Sequence, residues 1–440
     1  MSDLTNKKPQ TKNDIAWQKL FQKYSILEKI YKIGFFEIDS ASINEFRESR
    51  LMAKFDHYAN LPEIFKKHNL SILAISRYKY VIGKFDAYAK VTYDDTLEAI
   101  PAEFPTGIES IDYTNLSSES SAISCAFHTG MINDLTNGED LYYTVYGRMS
   151  TGVFKFKINT KVDETQYNIE VNNAQCEIDG GFESESYFLL LEAKLYNADD
   201  FLIRQLYYPY RLWSSKLQQK EVIPILMTYS NSSNIFSFFI YKFDDAANYN
   251  SIRLVEQRNY VIAHEIITHE DVSKLFKSIT IAPEPNNIPF PQANNFEIII
   301  DLVTLLQDKE LTKEEITANY QFDERQTSYY TDAARYLGLM DKYVAPHTKE
   351  IKYFLTKEGS DLLKKRYKTK ILSFIEKILC HYVFYKTFEF TLLNGYIPNT
   401  SVIQQIMQSC DFNINITTIS RRSSTVRGWI GWILSMLSDE

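Results

Sequence analysis

The chain has 440 residues, of which 45% are hydrophobic and 24% are charged, and its formal net charge is −8. This composition is ordinary for a globular protein, and the length predicts two to four domains. The cysteines form no C-x-x-C pair, no apolar run reaches membrane-spanning length, and the first residues lack a secretory signal; we therefore expect a cytoplasmic protein with no membrane partner, no disulfide framework and no zinc knuckle.

The first 282 residues alternate between helix-like and strand-like patterns. Residues 1–110 predict an α/β region packed on the next domain, with helices over 16–33 and 61–68. Over residues 111–282 the pattern predicts two strands, three more strands, a helix and two further strands, which is an order typical of a mixed sheet with a crossover helix. The predicted segments are 141–146, 152–158, 167–171, 176–184, 187–195, the helix 199–213, and the strands 222–229 and 235–243.

A proline-rich stretch predicts the clearest domain border. Four prolines lie between Pro283 and Pro291, and such a stretch forms neither a regular helix nor a central strand. We assign 283–293 as a linker, followed by two units over 294–365 and 366–440. A fragment that begins near Asn294 is therefore expected to fold on its own.

One hairpin combines residues that suit phosphodiester chemistry. If Glu185 and Ser186 form its two-residue turn, Asp179 lies opposite Glu192, and Lys194 shares the face of Glu192. Carboxylates are the ligands that Mg²⁺ prefers, and a neighbouring ammonium positions water or stabilises charge on phosphate. We therefore predict a catalytic site of Asp179, Glu192 and Lys194, in which Asp179 and Glu192 hold Mg²⁺.

The alternative for this motif is chance, because E-x-K also occurs at Glu350-Ile-Lys352, with Asp341 as a possible opposite residue. That second motif has the flanks of an exposed hairpin. Around Glu192 the strand is a buried apolar run, and charges at the end of a buried strand are costly unless they have a function.

The order of elements around this motif resembles the core of PD-(D/E)XK nucleases. The run from Asp179 through Glu192-Ala-Lys194, the helix 203–213 and the two following strands is similar to type II restriction endonucleases that carry winged helices after this core. The resemblance covers roughly residues 60–440. It implies that the Asp and Glu hold Mg²⁺ and that the Lys assists the attacking water. Ile178 replaces the proline of the signature, and Gln205 lacks the tyrosine four residues later.

The unit 294–365 has the order of a winged helix. A capping box at Thr312 and Glu315 starts its second helix, a third helix ends at Gly338, and 343–344 and 351–355 form the wing. The third helix would enter the major groove of DNA. Its candidate reading residues are Arg325, Gln326, Thr327 and Tyr329 or Tyr330.

The unit 366–440 predicts a second winged helix with a basic reading helix. The segment 361–438 contains ten Lys or Arg and four Asp or Glu, so this part is basic although the chain as a whole is acidic. The alternative is that these arginines form a solvated face or a protein contact. The candidate DNA-binding residues are Thr418, Ser420, Arg421, Arg422 and Arg427.

The sequence thus predicts an α+β multidomain protein with a PD-(D/E)XK sheet core and C-terminal winged helices. The predicted function is site-specific, Mg²⁺-dependent cleavage of double-stranded DNA, with a cognate DNA methyltransferase as functional partner and a homodimer as a possible assembly. The alternatives are a winged-helix regulator on an inactive nuclease scaffold, and a repair or mobile-element nuclease with little sequence preference.

Overall fold

The computed structural model describes most of the chain. The described residues are 11–105, 107–136, 138–163, 165–262, 266–285, 287–307, 309–320, 324–346, 348–365, 367–409 and 416–437, with the side chains of 416–418 excepted.

The N-terminal region is a small helical unit with a three-stranded antiparallel sheet, in the order β1-β3-β2. Its core packs around Trp17 and Phe65. The helix predicted over 16–33 is two helices, because Ser25 between them has a left-handed backbone with φ of 48°. The elements are α1 (Lys12–Lys23), α2 (Ile26–Ile33), β1 (Phe35–Asp39), α3 (Ser40–Asn44), α4 (Ser49–Ala53), α5 (Glu63–Lys67), β2 (Ser71–Ala74) and β3 (Lys79–Gly83).

The middle of the chain forms a seven-stranded mixed sheet with the strand order β5-β14-β13-β12-β10-β9-β6. The predicted mixed sheet and crossover helix are confirmed, since β10 and β12 are parallel and are joined through α8. The helix predicted over 199–213 begins only at Arg204, because residues 200–202 form the short strand β11. The elements are β4 (Tyr88–Lys90), β5 (Ile100–Ala102), α6 (Glu119–His128), α7 (Met131–Asp134), β6 (Tyr142–Ser150), β7 (Val153–Asn159), β8 (Gln166–Asn172), β9 (Gln175–Glu183), β10 (Tyr187–Lys194), β11 (Asp200–Leu202), α8 (Arg204–Lys216), β12 (Glu221–Tyr229), β13 (Ile235–Phe243) and β14 (Ile252–Ile262).

Strand β10 lies in the middle of this sheet and is covered on both faces. Leu189, Leu191 and Ala193 pack into the core beneath α6, while Phe188 and Leu190 face α8. Side chains alternate between the faces of a strand, so the residues that continue the α8 face are 192 and 194. Two charged residues thus stand where the apolar packing of this face ends.

The last third of the chain is mostly helical, with one small antiparallel sheet in the order β15-β17-β16. The predicted capping box at Thr312, the pairing of 343–344 with 351–352 and the helix end before Gly338 are all confirmed. The elements are α9 (His269–Ser278), α10 (Phe296–Leu305), β15 (Leu311–Thr312), α11 (Lys313–Asn319), α12 (Glu324–Tyr336), β16 (Met340–Val344), β17 (Ile351–Leu355), α13 (Lys357–Leu363), α14 (Tyr367–Leu379), α15 (Tyr382–Asn394), α16 (Thr400–Gln408) and α17 (Ile416–Ser435).

The core of this third begins before the proline-rich stretch. Ile267 and Val272 of the α9 region are buried in it, as are Phe290 and Ala293 of the predicted linker. The indole nitrogen of Trp429 donates a hydrogen bond of 2.7 Å to the carbonyl of Ala293. The prolines prevent regular secondary structure in 283–293. This segment is nevertheless not a free linker, because its apolar side chains Phe290 and Ala293 are buried in the C-terminal core.

The second predicted winged helix lacks its wing in the part that the structure describes. Between 367 and 437 the described residues form the four helices α14 to α17 and no strand. The expected hairpin is absent there because this segment contains long apolar-periodic stretches that pack as helices on one another and on α10.

Within the described ranges, no helix combines the length and apolarity needed to cross a lipid bilayer.

Candidate functional site

The predicted hairpin forms with the predicted register. Phe188 pairs with Glu183, and the ladder continues to Leu191 and Gly180. Beyond this point the two strands part, and Asp179 uses its carboxylate instead: Oδ2 accepts a hydrogen bond of 2.9 Å from the backbone N–H of Ala193. The side chain of Asp179 is thereby fixed beside the C-terminal end of β10.

Glu192 and Lys194 form a buried ion pair at that end. Each residue is only 7% exposed, and the Lys194 ammonium lies 2.6 Å from Oε1 of Glu192. Gln205, in the first turn of α8, also donates through Nε2 to Oε1 of Glu192. The sequence pattern left Gln205 without an expected role, yet the start of the crossover helix places it directly on the carboxylate.

Glu119 is a further carboxylate that the sequence analysis missed. It opens helix α6, where Ser118 caps the helix, and its Oε1 lies 3.9 Å from the Lys194 ammonium. The stretch 107–121 resembles a loop in composition, but Ser118 and Ser121 form a capping box followed by an apolar run. That capping box is the signal that predicts a helix start, and with it an acidic side chain in the first turn.

The three carboxyl groups have raised pKa values. Burial and the nearby Glu119 raise the pKa of Asp179 to about 6. Burial and the charge of Asp179 raise the pKa of Glu192 to about 7. Burial and the charge of Glu192 raise the pKa of Glu119, although Lys194 opposes this shift. Burial is the largest cause of all three shifts, and repulsion between the carboxylates adds to it.

Lys194 keeps its proton. Burial alone would favour the neutral amine, but Glu192, Glu119 and Asp179 raise the pKa of Lys194 well above its ordinary value. The ammonium is therefore a fixed positive charge on the floor of the site.

A cavity of about 250 Å³ surrounds this group and takes residues from the N-terminal unit, the central sheet and the C-terminal third. Lys54, Arg148 and Arg204 place cations around it, and Ala318 and Asn319 at the end of α11 form part of its wall. The remaining lining residues are Asp56, His57, Glu119, Cys176, Glu177, Asp179, Glu192, Lys194, Tyr196 and Gln205. The cavity thus has an acidic floor with basic side chains around it, an arrangement suited to an anionic group approaching a cation.

A second hydrogen-bonded chain lies against this cavity. His57, which is 1% exposed, has its Nδ1 2.7 Å from the carbonyl and 3.0 Å from Oδ1 of Asp200. Its Nε2 lies 2.6 Å from the hydroxyl of Tyr196. Tyr196 is two residues beyond Lys194, so the chain connects the N-terminal unit to the end of β10.

The donor set of the site fits a hard divalent cation. Among the described residues, no three His, Cys, Asp or Glu side chains are arranged so that they hold a metal ion by themselves. Mg²⁺, however, commonly binds through one or two carboxylates and keeps several waters. Asp179 and Glu192 supply two such carboxylates, and the buried Oε1 of Gln205 has no hydrogen-bond partner and points to a missing polar neighbour such as water.

The alternative motif at Glu350 and Lys352 forms no comparable site. Asp341 pairs with Phe354 across the hairpin, not with Glu350, and its carboxylate accepts from Arg335 at 3.0 Å. Glu350 is half-buried, with its side chain 42% exposed, and its Oε1 lies 3.7 Å from the Lys12 ammonium. Both carboxylate side chains thus remain open to solvent, unlike that of Glu192.

The candidate DNA-reading residues of α12 divide into exposed and buried ones. Arg325 and Gln326 are exposed, and Tyr329 is half-buried beneath the Arg325 guanidinium, which also donates to its hydroxyl. Thr327 is a correction: it is fully buried, and its hydroxyl lies 2.8 Å from that of Thr317. Thr327 therefore joins α12 to α11 and is not available to a ligand.

The candidates of α17 also differ in exposure. Ser420 and Arg421 are exposed, while the side chain of Thr418 lies outside the described residues. Arg422 is half-buried, and burial lowers its pKa while nearby Tyr329 opposes this shift.

Arg427 is exposed but already has a structural partner. Its Nη1 donates to the carbonyl of Pro398 at 2.7 Å and to that of Ile397 at 3.3 Å. The side chain thus secures the segment before α16, and only the rest of its guanidinium faces solvent.

Three regions of the chain match models of domains whose function is unknown. The matches are DUF6996 over residues 14–82, DUF6997 over 83–261 and DUF7226 over 298–438. No curated protein and no solved structure matches the chain. The cavity takes Lys54 from the first region, Glu192 from the second and Asn319 from the third, so the site is shared by all three.

Proposed function

We propose that the chain is a Mg²⁺-dependent endonuclease that hydrolyses phosphodiester bonds in double-stranded DNA. The observation that carries this proposal is the buried Glu192–Lys194 pair at the end of a central strand, with Asp179 fixed beside it. Burial of an ion pair costs desolvation free energy, and here the pair is buried beside a cavity that basic side chains surround. A retained chemical function accounts for that cost better than an inactive scaffold does.

The strand order supports a PD-(D/E)XK core. An antiparallel hairpin, β9 and β10, is followed by the crossover helix α8 and a parallel strand, β12, and the acidic and basic residues lie at the end of β10. The order helix, strand, two helices and a two-stranded hairpin over α10 to β17 supports a winged helix that presents α12 to DNA. Type II restriction endonucleases combine these parts, and we propose the same class here.

The residues divide the chemistry between them. Asp179 and Glu192 would hold Mg²⁺, which favours ionisation of water and neutralises charge that develops on the phosphate. Gln205 and Lys194 orient Glu192 by hydrogen bonds to the same oxygen. Lys194, a permanent cation, attracts the phosphate and aligns the attacking water. Lys54, Arg148 and Arg204 attract neighbouring phosphates of the strand.

Plasmid cleavage tests this function. The purified full-length chain should cut supercoiled plasmid in MgCl₂ or MnCl₂ at defined sequences and should stop in EDTA. Glu192→Gln and Lys194→Met should each lower the cleavage rate at least about 100-fold, while specific binding in Ca²⁺ is retained. Glu350→Gln, at the solvated motif, is the matched control and should cut at the wild-type rate.

Three results would contradict the proposal in different ways. Cleavage in EDTA would exclude the metal mechanism, and full activity of Glu192→Gln would exclude this site. Specific DNA binding without any cleavage in Mg²⁺ or Mn²⁺ would favour the regulator on an inactive scaffold.

A further inference from the structure

The chain Asp200–His57–Tyr196 has a defined distribution of hydrogens. The carbonyl and the carboxylate of Asp200 can only accept, so Nδ1 of His57 carries a hydrogen in every protonation state. Proton exchange is then confined to Nε2, whose partner is the Tyr196 hydroxyl at 2.6 Å. Because His57 is 1% exposed, a proton on Nε2 leaves or returns through Tyr196.

Both His57 and Tyr196 line the cavity, and Tyr196 is the end of this hydrogen-bonded chain that carries an O–H group. Strand β10 ends at Lys194 and Tyr196 follows it in a bend, and residues 192, 194 and 196 all line the same cavity. The cavity has no other tyrosine, serine or threonine among its described lining residues. Tyr196 therefore supplies the neutral O–H group among these lining residues, beside the Lys194 ammonium, which lies 2.6 Å from Glu192.

Neighbouring groups hold both ends of the chain in place. Oδ2 of Asp200 also accepts from the backbone N–H of Tyr58 at 3.1 Å. The Tyr196 ring packs against the Tyr320 ring with 5.2 Å between centroids. The N-terminal unit thus supplies the imidazole, and the C-terminal third holds the phenol, at a site whose carboxylates belong to the sheet.

We propose that Tyr196 is the general acid of the site, which protonates the leaving sugar oxygen, and that His57 and Asp200 resupply its proton. This inference rests on the proposed nuclease function. The attacking water forms its bond to phosphorus, and the bond from phosphorus to the sugar oxygen breaks. The tyrosine proton passes to that oxygen, and the Nε2 proton of His57 passes to the tyrosine oxygen.

The remaining protons balance through solvent. The attacking water releases one proton to bulk water, and neutral His57 regains one through Tyr196 once the product has left. Asp200 accepts the hydrogen bond from Nδ1–H of His57 throughout and so fixes the orientation of the ring. Tyr196 is thus the catalytic residue, while His57 and Asp200 act through it.

If the hydrogen bonds of Asp200, His57 and Tyr196 were purely structural, substitutions there would change cleavage rates in a different pattern. If these residues only joined the N-terminal unit to the sheet, their loss would disturb every substrate equally. A general acid, in contrast, becomes dispensable when the leaving group departs without a proton. Sulfur in place of the leaving sugar oxygen provides such a group, because a thiolate is far less basic than an alkoxide.

The experiment compares two duplexes that contain a sequence cut by the wild-type chain. One has the natural linkage, and the other carries a single bridging phosphorothiolate with sulfur as the leaving atom. Single-turnover rates are measured for wild type, Tyr196→Phe and His57→Gln. Tyr88→Phe is the matched control: its hydroxyl donates to the carbonyl of Phe55 at 2.8 Å in the same part of the N-terminal unit, but it does not line the cavity.

We expect Tyr196→Phe to cut the natural duplex about 100-fold or more slowly than wild type, and the sulfur duplex within about 5-fold of wild type. His57→Gln should show the same dependence on the leaving atom, and Tyr88→Phe should show none. Equal defects on both duplexes, or no defect on either, would overturn the general acid while leaving the nuclease assignment intact. If the wild-type chain cuts no DNA, both proposals fall.

Discussion

At the scale of single residues, the candidate site brings together buried carboxylates that destabilise the fold when they are ionised. Asp179, Glu192 and Glu119 repel one another across a region that only Lys194 neutralises directly. A raised pKa in the folded state means that the fold prefers the protonated carboxyl. Such a group costs no stability below its ordinary pKa; the cost grows as the pH rises from that value to the raised one and is complete above it.

The first prediction follows from this direction of change in stability with pH. Between pH 5 and pH 8 the metal-free chain should lose stability, because Asp179 and Glu192 ionise through about 6 and about 7. Asp179→Asn removes one repelling charge and leaves the Glu192–Lys194 pair intact. It should raise the free energy of unfolding at pH 8 by about 1–2 kcal/mol and raise it by a smaller amount at pH 5.

Urea unfolding at both pH values measures this effect, and Mg²⁺ adds a second reading. Saturating Mg²⁺ should stabilise wild type more at pH 8 than at pH 5 and should stabilise Asp179→Asn much less. Glu170→Gln, which alters an exposed pair with Lys155, is the control and should stay near wild type. A less stable Asp179→Asn at pH 8 would show that the repulsion does not dominate.

The residues of the site differ in how far sequence could predict them. Asp179, Glu192 and Lys194 follow from strand alternation and one hairpin register, which are local rules. Glu119 and His57 come from distant segments, so only tertiary packing brings them to the site. Tyr196 lies in a bend beyond the end of β10, so strand alternation does not predict its place, and nothing local marks its imidazole partner.

At the scale of elements, the proline-rich segment is joined to helix α15 by a buried ionic contact. Nδ1 of His381 lies 3.4 Å from Oε2 of Glu284, and the His381 ring stacks on Tyr336 at 4.1 Å. Burial would lower the pKa of His381, but its neighbours Cys380 and Glu284 raise it to about 9. The charged ring therefore connects the segment to the helical core at neutral pH.

The second prediction tests this contact. A raised histidine pKa gives stability that is complete below the unfolded value near 6.5 and is lost as the pH rises through about 9. Glu284→Gln removes the anion, so it should lower the free energy of unfolding by about 1–3 kcal/mol at pH 6.5 and hardly at all at pH 9.5. Thermal or urea unfolding at the two pH values gives the comparison. An equal loss at both would assign the effect to packing, and His128→Gln, at an exposed histidine, should leave both values unchanged.

Elements with strong local signals were predicted well. The hairpins β9–β10 and β16–β17 carry alternation with a turn, and α11 carries a capping box, so their register or start was accessible. Helix α6 follows a stretch whose Ser and Thr content resembles a loop. The wing expected after 366 fails because apolar periodicity, not turn chemistry, governs α14 and α15 there.

At the scale of the whole molecule, the border of the C-terminal hydrophobic core does not coincide with the border that the proline-rich composition suggests. The prolines mark where regular structure stops, but the C-terminal core extends back to Ile267. The same third is also attached to the sheet by a buried polar contact, in which Asp301 of α10 accepts from the backbone N–H of Asn231 at 3.1 Å. Long-range packing of this kind leaves no periodic trace in the sequence.

The final prediction concerns where an independent C-terminal fragment begins. A fragment from Asn294 lacks Ile267, Val272, Phe290 and Ala293, all buried in the core that it would need. Burial of each of the three larger side chains is worth about 1.5–3 kcal/mol, and their joint loss approaches the total stability of a domain. A fragment from Ile266 keeps them.

We expect 266–440 to unfold cooperatively with near-native helical circular dichroism, and 294–440 to be largely unfolded or to melt at much lower temperature. The pair shares every residue of α12 and α17, so gel shifts at equal concentration show whether DNA binding follows folding. If 294–440 melts as sharply and at the same temperature as 266–440, the buried residues before Asn294 do not belong to the folding unit.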